Sequence, residues 1–242
     1  MLLKAATWRE VEEYLLKRND VVVPVGSTEQ HGPNGPCGTD TVCAEELALE
    51  LHEDRRALVT PTIEFGVSGA HLGFPGTVSL RPMTMIALVR DALVSLAGHG
   101  FRRFLVVNAH PGSTSALDAA CAQFHADLPD ARCLIVSWWE LPEVKALLLE
   151  LYGAREGHHA TPGEISMVRK FYPRGVPDVP PPTTFEAVSQ PQFFSAADFR
   201  RRYPDGRVGS DPSLSSAAHG ERIFVAASRG LQDAHRRLLD VQ

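Results

Sequence analysis

Glu29, His31 and Asp40 fall in one stretch, Val21 to Asp40, read VVVPVGSTEQHGPNGPCGTD, in which a valine run gives way to a loop of glycines and prolines. Glu29 and His31 flank Gln30, so an extended backbone sends both side chains to the same side. The proline and glycine turn beyond them lets Asp40 return to the pair. Two carboxylates and an imidazole are oxygen and nitrogen donors suited to Zn²⁺, Mn²⁺ or Fe²⁺, and one carboxylate can bridge two ions. The same residues also fit a plain surface loop, with Asp40 capping the helix that follows.

The elements that must position these side chains are readable in order. The β-branched run before Gly26 predicts a buried parallel strand, with ligands at its carboxyl end. Thr7 and Glu10 form a capping-box pattern that predicts a helix from Trp8 to about Lys17, and a second helix is expected over Thr41 to His52. Ala57 to Ile63 reads as a strand, followed by the loop FGVSGAHLGFPGTVSL with His71 in its middle. A helix over Met83 to Gly98 and a short strand over Phe104 to Val107 come next, so that His110 follows a second strand end. Gly112 and Ser113 open a helix to about Leu128, Arg132 to Ser137 is a strand that runs into Trp138 and Trp139, and Pro142 to Tyr152 is helical.

Beyond it, GHHATPGEISMV brings His159 and Glu164 together at a helix start near Gly163. Tyr172 to Gln192 is proline-rich and extended, Phe193 to Arg207 is polar and a candidate interface, and Ala217 to Val241 closes the chain as a helix. Strands alternating with helices predict an α/β fold, a three-layer α/β/α arrangement with a mainly parallel sheet, in a single domain spanning residues 1–242.

GSTEQHGP, with an aspartate nine residues beyond its histidine, resembles the creatininase (creatinine amidohydrolase) family. FPGTVSL at Phe74 to Leu80, VVNAH at Val106 to His110, and H-x4-E-x-S at His159 to Ser166 follow in the family's order. The resemblance covers roughly Val21 to Ser166. It implies an amidohydrolase with two-ion chemistry of the Zn, Mn or Fe type: Asp40 bridging, Glu29 and His110 on one ion, His31 with Glu164 on the other. His159 is then expected to donate a proton to the leaving nitrogen or to hold the oxyanion, and Glu164 to be either ligand or acid/base. Trp139 falls where the family has a pocket tryptophan, and His71 is a candidate substrate contact.

Four departures bear on the substrate. Ala70 replaces a glutamate common before His71, Pro111 and Gly112 replace family residues after His110, and Arg155 stands where creatininase has a second pocket tryptophan. Gly112 removes a carboxylate that serves the second ion in creatininase. Arg155 hints at an acidic substrate, and the expected reaction is hydrolysis of a non-peptide or cyclic amide or formamide bond by a metal-activated water, on a small molecule other than creatinine. Two alternatives stay open: a catalytically silent metal-binding relative, and a hydrolase or isomerase of a sugar-derived lactone or ketone.

Composition bounds the rest. With 242 residues, 44% of them hydrophobic, a core of ordinary size is available, and a net charge of -5 gives no generic attraction to nucleic acid or anionic membranes. The amphipathic amino terminus differs from a signal peptide and no apolar run approaches a membrane span, so a cytoplasmic location is expected. The four cysteines show no paired spacing and read as free thiols, with Cys37 close to the ligand loop. The family resemblance implies a homo-oligomer, possibly a hexamer.

Overall fold

Four strands carry the fold in a computed structural model that describes residues 1–240. They are β1 (Asp20–Val25), β2 (Leu58–Val59), β3 (Arg103–Asn108) and β4 (Arg132–Ser137), joined in the order β2-β1-β3-β4 with every pairing parallel. Eight α-helices surround them: α1 (Trp8–Leu15), α2 (Thr39–Arg55), α3 (Pro82–Gly98), α4 (Thr114–Asp127), α5 (Pro142–Tyr152), α6 (Pro162–Phe171), α7 (Ala196–Arg202) and α8 (Ala217–Asp240). The expected closing helix is present to Asp240, and Val241 lies outside the described residues.

Alternation along the strands sorts the helices into two layers. Val21, Val23 and Val25 of β1, with Phe104 and Val106 of β3, pack against α3 and α4. Val22, Leu105 and Val107 point the other way, into a core shared with α2, α5, α6 and α8. The sheet is therefore buried on both faces, as its nearly continuous apolar strands require, and the three-layer α/β/α architecture follows.

The register places the site. Val25 pairs with Asn108 and Asn108 with Ser137, so β1, β3 and β4 end level. The loop after β1 and the turn after β3 leave the sheet side by side at its carboxyl edge.

Local chemistry moved several boundaries. The strand expected over Ala57 to Ile63 is reduced to Leu58–Val59, because Pro61 has no N–H for the ladder. Ile63 still touches β1 through an isolated bridge to Val25. The first helix stops at Leu15, two residues early. Gly38 occupies the N-cap of α2 and Asp40 sits inside its first turn, so Asp40 does not cap the helix and its carboxylate is free for another use. The segment Phe193 to Arg207 contains α7, whose Phe199 is buried, while Phe194 before it is exposed.

Candidate metal centre

The loop after β1 folds Glu29, His31 and Asp40 against one another in near-complete burial. Asp40 Oδ2 accepts from Ser27 Oγ at 2.8 Å. His31 Nδ1 donates to the backbone oxygen of Glu29 at 3.0 Å, and its Nε2 donates to Asp40 Oδ1 at 3.0 Å. His110 repeats the arrangement from β3: its Nε2 donates to Val67 O at 3.2 Å, and its Nδ1 lies 3.0 Å from Asp40 Oδ2. Asp40 thus presents one oxygen to each of two imidazoles.

Glu29 stands on the His110 side, with Oε2 3.5 Å from His110 Nε2. Glu164 stands on the other side, with Oε2 3.9 Å from His31 Nε2. Its Oε1 accepts the Thr161 N–H at 2.6 Å while Thr161 Oγ1 accepts from Glu164 N, a capping box that starts α6 and orients the carboxylate. Immediately before it Ala160 adopts a left-handed backbone at φ 53°, a costly conformation for a residue with a Cβ, which turns the chain between His159 and Glu164.

His159 completes the cluster. Its Nε2 donates to Gln30 O at 2.7 Å, its Nδ1 is 3.6 Å from Glu29 Oε1, and its ring stacks on His71 with centroids 4.2 Å apart. Gln30 links these groups, since its amide lies 2.9 Å from both His71 Nδ1 and His159 Nε2. Gly206 approaches Gln30 so closely, at φ 85°, that an added Cβ would lie 1.9 Å from Gln30 Oε1. Neither role of Gln30 nor that of the Gly206 segment was legible beforehand, because a glutamine between two candidate ligands carries no motif of its own.

The electrostatics describe a site short of positive charge. Burial pushes the Glu29 carboxyl up, offset in part by His110. Burial opposes charge on His31, but the carboxylates of Asp40 and Glu164 override it and raise the imidazole to about 10. His110 is likewise raised to about 9 against burial by Glu29 and Asp40. Burial, with the charge of Asp40 added to the relief from His31, brings Glu164 up to about 7. His71 and His159 are both driven down by burial and by the neighbouring imidazoles, His71 to about 3.

Two atoms test whether a metal fits. Glu29 Oε2 and His110 Nδ1 are buried without a hydrogen-bond partner, although His110 Nδ1 is within 3.0 Å of Asp40 Oδ2. Proximity without hydrogen-bond alignment is what lone pairs directed at a common cation produce, and buried polar atoms are otherwise nearly always satisfied. Ligand-competent atoms of Glu29, Asp40 and His110 lie within 4.8 Å of one another, as do those of His31, Asp40 and Glu164, and those of Glu29, His31 and His159. The donor set suits a divalent ion of the Zn or Mn class.

The remaining candidates divide. His71, in a short 3₁₀ turn at Gly69–Gly73, faces a cleft of about 800 Å³ beside the cluster, 3.5 Å from Glu29 Oε1. Trp139 lines a smaller cavity of about 300 Å³ that reaches Glu164 from the other side. Arg155 lines neither: its guanidinium pairs with Asp211 at 2.7 Å and covers the Phe185 ring. The expectation that it supplies charge to an acidic substrate is therefore corrected. Gly112 is not an empty ligand position either, since a Cβ there would lie 2.6 Å from both His110 Nε2 and Val67 O. Cys37 contributes its backbone oxygen to Glu29 N–H at 2.8 Å, and its thiol is in none of the ligand groups among the described residues.

Residues 4–234 match the family model described as creatinine amidohydrolase. The chain belongs to the creatininase family. It is 34% identical to a mycofactocin precursor peptide peptidase of Mycolicibacterium smegmatis over 231 residues, 90% of this chain and 84% of that one. To the creatinine amidohydrolase of Pseudomonas putida it is 29% identical over 252 aligned positions, covering 95% and 94%. The solved "Creatininase Mn" superposes with a TM-score of 0.85 at 26% identity over 99% of both chains, and a "Zn-Zn type" creatininase variant does so with 0.85 at 26% over 99% and 98%. Membership of the creatininase family makes the chain a metal-dependent hydrolase of C–N bonds.

Proposed function

We propose that the chain hydrolyses a peptide-type or formamide-type amide at a two-ion centre bridged by Asp40. The observation that supports this most directly is that the two oxygens of Asp40 each face a nitrogen of a different imidazole, His31 Nε2 and His110 Nδ1, at 3.0 Å. Glu29 and His110 would hold one ion, and His31 and Glu164 the other. The bound ions would supply Lewis-acid polarisation of the amide carbonyl and a water acidic enough to attack near neutral pH.

The protein's own part is proton handling and orientation. His159 is kept neutral by burial, with Nε2–H committed to Gln30 O, so Nδ1 is the free lone pair on the reacting side. It takes a proton as the carbonyl is attacked and returns it to the departing nitrogen. Stacking on His71 holds the ring in place. The Thr161 N–H holds the Glu164 carboxylate towards His31, which supports a ligand role for Glu164 and proton transfer by His159.

The cleft favours a substrate larger than creatinine. It is wide, it is walled by Leu72, Phe193 and Phe199, and it lies open to the His71 side of the cluster. These roles are tested by metal content per chain together with a panel of formamides, cyclic amides and short peptides, comparing wild type with Glu164→Gln. Two ions falling to one, with hydrolysis of at least one amide by the wild type, is the expected result. Two retained ions with no amide cleaved would support the silent-relative reading instead.

A further inference from the structure

The large cleft has an unusual distribution of charge. Among the described residues its only carboxylate is Glu29, at the metal centre, where His71, His110 and His159 also gather, whereas His158 is turned to Val188 O. Most of the remaining wall is apolar. Among the described residues Arg81 is its one arginine or lysine.

Every other cation near the site is already engaged. Arg155 pairs with Asp211, Lys145 with Glu140 and Arg207 with Asp205, while Arg200 lies over the Phe74 ring at 4.1 Å. Arg81 is exposed and forms no ion pair or side-chain hydrogen bond among the described residues. It is also the N-cap of α3, a helix with no side-chain cap and no acidic residue in its first turn, and Pro82 of that turn lines the cleft beside it. The positive end of the helix dipole therefore adds to the guanidinium.

Arg81 is tied to the reacting end. Leu80 N–H donates to Gly66 O at 2.8 Å, and Gly66 packs so tightly on His110 that a Cβ would lie 2.7 Å from the imidazole. One short connection thus fixes both the metal-side histidine and the arginine at the start of α3.

We propose that Arg81 recognises a carboxylate on the substrate: an amide with an apolar body and an anionic group remote from the bond that is cut. This rests on the amidohydrolase reading above. A guanidinium is suited to the task because its planar fork can pair bidentately with a carboxylate, and the low polarity of the walls strengthens the contact.

The test uses ω-carboxyalkyl hydroxamates of graded chain length on the metal-loaded protein, each paired with its methyl ester, with affinities read by calorimetry. The hydroxamate anchors at the metal end and the chain reports the far end. At the best chain length the acid should bind about fivefold to tenfold more tightly than the ester, a difference that falls with added salt. Arg81→Gln should abolish that preference while leaving ester affinity unchanged, and Arg81→Lys should restore part of it. Equal affinity of acid and ester at every length in the wild type overturns the assignment of Arg81 but leaves the metal site standing. Failure of both ligands to bind metal-loaded protein removes the amidohydrolase reading and this inference with it.

Discussion

Asp40 and His110 face each other at 3.0 Å, yet the imidazole nitrogen involved has no hydrogen-bond partner. The other nitrogen of His110 is spent on Val67 O, so Nδ1 is the one to which a carboxylate oxygen is turned. Two electron-rich atoms held together in a buried site are mutually repulsive unless a cation or a proton lies between them. The cation reading explains the missing alignment at His110, while at His31 an ion would replace the proton of the hydrogen bond to Asp40 Oδ1.

Removing the shared carboxylate should therefore empty both positions. Asp40→Asn is expected to lose both ions and to weaken metal affinity by more than the roughly 10–100-fold typical of an outer hydrogen-bond partner. Ser27→Ala, which removes only the hydrogen bond to Asp40 Oδ2, should fall within that range. Metal analysis after dialysis against a graded chelator separates the two variants.

Restoring a carboxylate at Gly112 should not restore a ligand. The site has no room for a Cβ, so Gly112→Glu must displace either the His110 ring or the Val67 backbone. Destabilisation of about 1–3 kcal/mol is expected, together with reduced metal content. Thermal melts combined with metal analysis check this, and a stable variant with added metal affinity would overturn it.

The metal-free protein should have a distinctive alkaline limit. The folded pKa values of His31 and His110 are raised to about 10 and about 9 by neighbouring carboxylates, against an ordinary 6.5. Their protonated pairs therefore contribute stability that is fully present below about pH 6.5 and is lost as pH rises through 9 to 10. Metal must displace those protons, so uptake should release protons and strengthen across the same range. The melting temperature of chelated protein should fall between pH 7 and 10 while that of loaded protein holds, and calorimetry in buffers of different ionisation enthalpy should count the protons.

A separate acid limit belongs to the opposite end of the sheet. Asp20, almost wholly buried at the start of β1, accepts from Arg18 and lies 3.0 Å from His235 Nε2. Burial alone would raise its carboxyl, but His235 and Arg18 outweigh that and hold it well below its ordinary 3.8. Its contribution is present above about pH 4 and lost as pH falls further. Asp20→Asn should cost about 3–5 kcal/mol near neutrality, because it strands buried partners, and the gap from wild type should close on acidification. Denaturant melts at several pH values test it.

His159 is expected to serve the chemistry rather than the metal. His159→Gln should lower kcat by about 10²–10⁴-fold with two ions retained per chain. Loss of an ion from this variant would instead move His159 into the ligand set with Glu29 and His31.

The order of residues alone shows which classes of side chain serve the site and which elements bear them. A valine run, a capping box and a glycine-rich turn act through neighbours in the chain, so β1, α1 and the loop that returns Asp40 to His31 could be read locally. The family resemblance added His110, His159 and Glu164, which no local pattern joins to that loop. Only the tertiary structure decided how they meet, because the level ends of β1 and β3 depend on strand register and the orientation of Glu164 on a capping box next to a strained Ala160. It also reversed the reading of charge. Arg155 is neutralised by Asp211, a residue distant in sequence, whereas Arg81 is left unpaired by what the fold does not place beside it. Burial and pairing are properties of the packed chain, so a residue's type fixes what chemistry it can do and its surroundings fix whether it does it.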